Sequence, residues 1–274
     1  MKKSYAVAGI VILAAVLLVL PVGAKAEMYV EAYLGGVFPA SSQQTFGTAE
    51  VGPAGGEVER NRIPGKFDPA VMGGLKIGTW FVKEGFLGYN YPAWMRYLGF
   101  YVDFSYHRLD MRKQQGGSAA TDLLGIGLLT VAPNNFQTEG TAATLAFMFA
   151  ARYGFFPDSE VPFGRLQPYL GIGPAILFST QRAQLTNRCS FGALKTYDAG
   201  SQSSTDIALA VEAGLRYMAL KNVSLDLSFK YRYAQPSYTF KTTANHFGPT
   251  SPANFTINPT YNLFSVQLGA AYHF

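Results

Sequence analysis

Three polar residues in one segment, YLGFYVDFSYH, form the set that is most suggestive of catalysis. Asp103, Ser105 and His107 lie at every second position, so in a β-strand their side chains would share one face. A serine that passes its proton to a histidine is a nucleophile for ester bonds, and a carboxylate that holds the histidine completes such a site. Positions four residues apart in a strand are about 13 Å apart, too far for Asp103 to hold His107. We therefore expect hydrogen bonding rather than catalysis from these three residues.

Other residue types that could do chemistry lack the spacing that the chemistry needs. His246 and His273 have no cysteine or carboxylate partner at metal-ligand spacing. The glycines of the two G-I-G segments, at 125–127 and 171–173, do not stand between a strand and a helix as nucleotide-binding glycines do. The sequence therefore predicts no catalytic residue, no metal site and no cofactor.

The elements that must position these residues are β-strands. Apolar and less apolar residues alternate with a period of two, which is typical of strands. Long connections (38–68, 109–141, 179–204 and 234–260) alternate with short ones (82–94, 154–168 and 218–222). Pro174 interrupts one segment and predicts a β-bulge there. The eight alternating segments are 29–37, 70–81, 97–107, 144–153, 169–178, 207–217, 223–233 and 261–274.

The first 26 residues have the pattern of a removed signal peptide. Lys2 and Lys3 precede an apolar run from Ala6 to Leu20, and Ala24-Lys25-Ala26 is a small-x-small cleavage pattern. The run of about 15 residues is shorter than the roughly 20 that a transmembrane helix needs. Its removal leaves 19 Lys and Arg against 17 Asp and Glu, a net charge of +2 that does not favour a nucleic-acid partner. The lone Cys189 cannot form a disulfide within the chain.

The composition of the two strand faces indicates which one meets lipid. One face is aliphatic and phenylalanine-rich, and the other is mostly small residues with a few charges. Each Lys or Arg turned toward the middle of a membrane would cost about 2–4 kcal/mol, whereas inside a barrel it can pair with a carboxylate. We therefore predict an eight-stranded, antiparallel, up-and-down transmembrane β-barrel with long extracellular loops, formed by residues 27–274. Its predicted structural charge network in the lumen comprises Glu31, Lys76, Asp103, Arg152, Glu212, Arg216, Asp226, Lys230 and Arg232.

Aromatic residues cluster near the predicted strand ends, as the two interfaces of a membrane favour. Trp94, Tyr153 and Phe156 are among those expected at the periplasmic interface. Tyr106, Phe178 and Tyr261 are among those expected at the outer one. Both chain ends then lie on the periplasmic side.

The signal peptide, the segment PYLGIGPAILF and a last strand that ends on Phe274 resemble the small eight-stranded outer-membrane barrels, the OmpA/OmpX-like family. The resemblance covers nearly all of the mature chain and implies the outer membrane of a Gram-negative bacterium. In that family the last strand is the signal that the barrel-assembly machinery recognises. By resemblance, Phe274, Tyr272, Leu268 and Val266 would form that signal here.

The connections expected outside the cell hold the candidates for partner binding. We expect a monomer in contact with outer-membrane lipids. Lipopolysaccharide phosphates could bind basic loop residues, and an ordinary solvated surface is the alternative. The segment from Leu123 to Val131 is too apolar for a free loop and could extend a strand, form a lid or contact a partner. The basic loop residues are Arg60, Arg62, Lys66, Arg108, Arg112, Lys113, Arg182, Arg188 and Lys195.

Three functions remain open on the sequence alone. The first is a non-enzymatic barrel, largely filled by side chains, that serves surface interaction or envelope integrity. The second is a narrow channel for small or apolar solutes. The third is an enzyme that modifies lipid A through Ser105 and His107.

Overall fold

The computed structural model describes residues 27–40, 42–50, 57–82, 91–116, 134–188, 194–244 and 251–274. The predicted signal peptide, the segment from Leu123 to Val131, Cys189 and His246 lie outside these ranges. The strands are β1 (Glu27–Pro39), β2 (Ser42–Glu50), β3 (Glu57–Gly65), β4 (Ala70–Trp80), β5 (Leu98–Arg108), β6 (Met111–Gly116), β7 (Asn134–Arg152), β8 (Leu166–Arg188), β9 (Leu194–Leu220), β10 (Val223–Ala234), β11 (Tyr238–Ala244), β12 (Ser251–Ile257) and β13 (Tyr261–His273). A short 3-10 helix spans Ala93–Tyr97.

Eight strands close into an antiparallel barrel. The order is β5-β4-β1-β13-β10-β9-β8-β7, and β7 pairs with β5 to complete the ring. The first and last strands pair along their length, from Tyr29 opposite His273 to Pro39 opposite Leu263. Strand β6 continues β5 beyond Leu109 and Asp110 and also pairs with β7. The structure thus confirms the predicted fold class, and the ring leaves no open strand edge at the level of the membrane.

The strands are oriented as the energetic argument predicts. Outward-facing Leu34 and Leu268 are 69% and 67% exposed, whereas the side chain of Glu31 is fully buried inside. A soluble barrel would show the opposite arrangement, with apolar residues inside. The outer surface of this part is therefore suited to lipid.

The barrel wall continues well beyond the membrane at the end opposite the chain termini. Strands β7, β8 and β9 are 19, 23 and 27 residues long, whereas a tilted strand spans a bilayer in about 9–11 residues. A second sheet with the order β11-β12-β2-β3 stands on the other side of this end. Much of the predicted long connections is therefore itself β-structure.

Two local predictions are wrong. Pro174 causes no bulge, because Ala146 lies opposite Ala175 and Phe149 opposite Ile172 in the same register. The proline lacks an N–H, so pairing with β7 is only interrupted. Tyr261 does not face the outer interface: it is buried in the interior, because it shares the inward parity of Leu263.

The end of the barrel away from the long extensions of β7, β8 and β9 carries the chain termini and the short connections. Exposed aromatic residues surround it, among them Trp94, Tyr153, Phe155 and Phe274. Phe156 has a φ of 57°, a conformation that residues other than glycine rarely adopt. No helix within the described ranges is long and apolar enough to cross a membrane.

Candidate functional site

The centre of the barrel is organised around Glu212 on β9. Its carboxylate accepts hydrogen bonds from Lys76 Nζ on β4 at 2.7 Å and pairs with Lys230 Nζ on β10 at 3.1 Å. The Tyr101 hydroxyl donates to the same carboxylate at 3.1 Å, and the Tyr169 hydroxyl lies 2.8 Å from Glu212 Oε1 and 2.7 Å from Asp226 Oδ1, so its one proton serves one of these two carboxylates at a time. The cations and hydroxyls around this buried charge offset the cost of removing it from water.

A second chain of ion pairs lies below Glu212, toward the chain termini. Arg216 Nη2 donates to Glu31 Oε2 at 2.9 Å, and its Nε donates to Asp226 Oδ2 at 3.2 Å. Lys76 also donates to Glu31, at 2.8 Å, and so joins this chain to the Glu212 cluster. The guanidinium of Arg216 stacks on Tyr29, with 4.2 Å between its Cζ and the ring centroid. The face of the ring attracts the cation, and this attraction is stronger at a buried site than at an exposed one.

The candidate catalytic residues of β5 do not form a catalytic site. Asp103 accepts hydrogen bonds from Lys230 and from the hydroxyl of Tyr33, at 2.6 Å for the tyrosine. Ser105 Oγ accepts from Arg232 Nη1 at 2.9 Å, and His107 Nδ1 lies 2.8 Å from the carbonyl oxygen of its neighbour Arg108. The aspartate, serine and histidine are therefore engaged with different partners and not with one another.

At the end that carries the chain termini, the interior finishes in another ion pair. Arg152 on β7 donates two hydrogen bonds to Glu27, one of them at 2.7 Å to Oε1, and one to Gln167 at 2.9 Å. Its Cζ lies 4.2 Å from the ring centroid of Trp80. His273 Nε2 is bonded to Ser224 Oγ at 2.8 Å. These side chains close the lower end of the lumen.

Sequence reasoning missed several partners of the charges. Tyr29, Tyr33, Tyr101 and Tyr169 all reach buried carboxylates or guanidinium groups from the inner wall. Tyr29 and Tyr33 have the same parity along β1 as Glu31, Tyr101 the same along β5 as Asp103, and Tyr169 the same along β8 as the buried Gln167, so the signal was present in the alternation. Glu27 was missed because it stands at the start of the first strand, where parity is hard to judge.

Above the charged layers the interior becomes apolar. Phe136, Phe240 and Ile257 are buried there, although they belong to parts of the chain that extend beyond the membrane. Tyr238 donates a hydrogen bond to Ser179 at 2.5 Å and lies 3.0 Å from the hydroxyl of Tyr261. A cavity of about 10 Å³ remains between these groups and Thr138, room for at most about one water molecule.

The charged groups on the outer surface pair with one another. Arg108 contacts Asp110 at 2.8 Å and Arg112 contacts Asp68 at 2.7 Å, both at exposed positions of the upper wall. Arg182 pairs with Asp198, and its hydrogen bond, followed by that of the Gly200 N–H, lowers the pKa of Asp198. At the other end, the Val161 N–H and then Arg165 lower the pKa of Asp158.

The four residues of the predicted assembly signal lie along one outward-facing row of β13. Phe274, Tyr272, Leu268 and Val266 are 71%, 51%, 67% and 45% exposed. The rings of Tyr272 and Phe274 pack edge to face, with 5.2 Å between their centroids. The row is therefore free of contacts with the barrel interior.

A closed antiparallel barrel with an apolar outer surface and an ion-paired interior defines an integral membrane barrel. The chain belongs to the family of the outer membrane protein beta-barrel domain, whose model matches residues 12–274.

The solved structures that resemble the chain are outer-membrane proteins of low sequence identity. The outer membrane protein OprG from Pseudomonas aeruginosa is 13% identical, with 91% of this chain and 96% of that chain covered and a TM-score of 0.43. The outer membrane protease OmpT from Escherichia coli is 11% identical, with coverages of 93% and 99% and a TM-score of 0.44. Ail, the attachment invasion locus protein of Yersinia pestis, is 13% identical, with coverages of 90% and 99% and a TM-score of 0.32. Among curated proteins, no match was found.

Proposed function

We propose that this chain is a non-enzymatic barrel with a closed lumen, placed in the outer membrane of a Gram-negative bacterium after removal of residues 1–26. Its role is to hold an extracellular β-structure that serves surface interaction or envelope integrity. The observation that carries the proposal is the way in which buried charges bridge the full width of the lumen. That arrangement places side chains along the barrel axis.

Two ion pairs join strands that stand opposite each other in the ring. Lys76 on β4 meets Glu212 on β9, and Asp103 on β5 meets Lys230 on β10. In the order of the eight strands, β4 and β9 are four positions apart, as are β5 and β10. A side-chain pair that spans the diameter closes the path that a solute would take, and an eight-stranded barrel is narrow enough for this.

The engagement of Ser105 and His107 also supports a role without catalysis. The Ser105 hydroxyl is held by a guanidinium, which stabilises it as an acceptor and leaves no adjacent base to take its proton. Both side chains are buried in the lumen, away from the acyl chains of the bilayer.

Conductance in planar lipid bilayers tests the closed lumen. The refolded native protein should leave the bilayer current at its baseline, because buried side chains bridge the lumen at Glu212. A double variant, Lys76→Ala with Tyr101→Ala, removes two of the side chains around that carboxylate and should raise the current. Heat-modifiable mobility on gels would verify that both proteins are folded. Reproducible current steps from the native protein would refute the closed lumen and establish the narrow channel instead.

An assay for lipid A deacylation tests the absence of catalysis. We expect no product with the native protein. Product that forms with the native protein and is lost in Ser105→Ala would establish the enzyme instead.

We further propose that the barrel is a monomer surrounded by outer-membrane lipids and that the last strand is the signal for its assembly. The support is the outward row that ends in Tyr272 and Phe274, whose side chains are free for recognition before the barrel closes. Removing Phe274 should lower the amount of barrel recovered in the outer membrane of an expressing cell. The matched change Phe264→Ala, on the same face near the other end of β13, should have little effect.

A further inference from the structure

Four strands of the barrel are interrupted where they leave the membrane. β1 ends at Pro39 and β2 begins at Ser42, while β3 ends at Gly65 and β4 begins after Pro69. β10 and β11 are separated by residues 235–237, and β12 and β13 by residues 258–260. Each of the four breaks contains or adjoins a proline, which has no N–H for a ladder.

Within each hairpin the breaks are not changes of register, whereas between the two hairpins the register shifts by one residue, from Leu263 opposite Pro39 to Ile257 opposite Phe46. Ala234 pairs with Tyr261 below the break and Tyr238 with Ile257 above it, so both ladders belong to one continuous hairpin. In that register Pro236 stands directly opposite Pro259. The first hairpin behaves in the same way, with Val37 opposite Ala70 and Ser42 opposite Gly65. Within each hairpin the register would allow pairing through these positions, where the prolines supply no N–H for a ladder.

The strands β7, β8 and β9, which form the other half of the upper wall, have no such breaks. β7, β8 and β9 run from the membrane to their tips as single strands. The chain connections between the barrel and the sheet β11-β12-β2-β3, which we call the outer flap, all pass through the four breaks, whereas β7, β8 and β9, which we call the continuous wall, are uninterrupted. Bending concentrates where ladder hydrogen bonds are absent.

The two side edges of the outer flap differ in how they meet the continuous wall. Beside β6, the chain just below β3 is tied by Gln114, which bonds both the N–H and the C=O of Lys66 at 3.1 Å, and by the Arg112–Asp68 pair. On the other side, β11 lies next to β9, yet no ladder joins the described residues of these two strands. On that side Tyr238 donates a hydrogen bond to Ser179 on β8.

We propose that the outer flap is a hinged element that turns about the four breaks and opens along the edge between β9 and β11. This goes beyond the proposed function, because it adds a moving part above a lumen that stays closed. Opening breaks the Tyr238–Ser179 hydrogen bond and exposes the apolar interior around Ile257 and Thr138 to the outside. The ion-paired layers lie below the four breaks and do not take part.

Thiol labelling of two matched threonine positions tests the hinge. In a Cys189→Ser background, Thr138→Cys places a thiol in the cavity beside Tyr238, and Thr144→Cys places one on the same strand and face, beside Arg232. Both threonines are buried, with 3% and 2% exposure. A maleimide should label Thr138→Cys at least about tenfold faster, because local opening reaches only the upper position. Equal rates in the folded, heat-modifiable proteins would overturn the proposal.

Variants of the hinge and of its edge sharpen the test. Tyr238→Phe removes the hydroxyl that bonds Ser179 and should increase the labelling of Thr138→Cys. The double change Pro236→Ala with Pro259→Ala restores two N–H groups that face each other across the hairpin. It should slow the labelling of Thr138→Cys. An unchanged rate in the proline variant would mean that the breaks are not the hinge.

Hydrogen exchange of the native protein provides a measurement that needs no substitution. β12 is paired on both sides within the outer flap, and the upper part of β8 is paired on both sides within the continuous wall. Amides of residues 253–257 should exchange faster than amides of residues 180–184. Equal protection of the two strands would contradict a flap that opens as a unit.

Discussion

The same strands enclose two interiors of opposite character. In the membrane, β9 turns Leu209 and Leu215 outward and Glu212 and Arg216 inward. Higher up, the outward positions are polar, as at Arg182 on β8, and the interior is filled by apolar side chains. Along one continuous wall, the apolar side chains thus face outward in the membrane and inward above it, as they do in a soluble barrel.

The medium outside the wall explains the change. In lipid, apolar side chains gain nothing by turning inward, so the interior is left to small residues and to charges that satisfy one another. Above the membrane the wall is surrounded by water, so burying apolar side chains in the interior lowers the free energy. The outer face there must be hydrated. The lower interior is therefore held by specific pairs and the upper one by packing, and the substitutions below should separate these two contributions.

The largest effect is expected from removing the central charge of the lower interior. Glu212→Gln leaves Lys76 and Lys230 buried with one carboxylate fewer, and should lower the free energy of unfolding by about 3–5 kcal/mol. Urea unfolding in lipid vesicles measures this. The matched change Asp198→Asn, in an exposed ion pair of the upper wall, should leave the value unchanged. Equal effects of the two would mean that the buried network does not hold the lumen.

A smaller effect is expected where a glycine allows close packing inside the lumen. A Cβ at Gly74 would lie 2.3 Å from the Tyr33 ring and from the carbonyl oxygen of Phe104. Gly74→Ala should therefore cost about 1–3 kcal/mol in unfolding free energy. The neighbouring Gly73 faces outward, where a Cβ would meet the flexible end of Leu34 at 3.2 Å. Gly73→Ala should be tolerated, and an equal cost at both glycines would refute a tightly filled lumen.

The upper interior should respond to loss of volume. Ile257→Val removes one methylene from a buried site and should cost about 0.5–1.5 kcal/mol of unfolding free energy. Ile207→Val, at a position that is 85% exposed on the outer surface, should change it little because lipid fills the space. The reverse ranking would show that the upper part is not a packed core.

The smallest effect concerns the pH dependence of the exposed turn near Asp158. Its lowered pKa means that the ionised form is stabilised in the folded protein. This contribution is present at neutral pH, above the ordinary pKa of about 4 for an aspartate, and is lost as the pH falls through the lowered value. The unfolding free energies of the native protein and Asp158→Asn should differ slightly at pH 7 and converge near pH 2. A difference that stays constant with pH would exclude this carboxylate as its cause.

The fold and the direction of the side chains could be predicted because a period of two is a local property of the sequence. Leu34 outward and Glu31 inward follow from alternation and from the cost of a charge in lipid. The pairing of Lys76 with Glu212 could not be predicted, since it depends on which strands stand opposite after closure. The reversal of polarity above the membrane was missed for another reason: polar outward residues such as Arg182 look like loop residues when the inward ones are not recognised as a core.

Lysine substitution along the outer face of β8 tests most directly whether one wall passes from lipid into water. Ile172 lies in the lower, lipid-facing part and Thr180 in the upper part, on the same face of the same strand. Ile172→Lys should lower the free energy of unfolding in lipid vesicles by about 2–4 kcal/mol, and Thr180→Lys by close to zero. Similar values at the two positions would contradict the account.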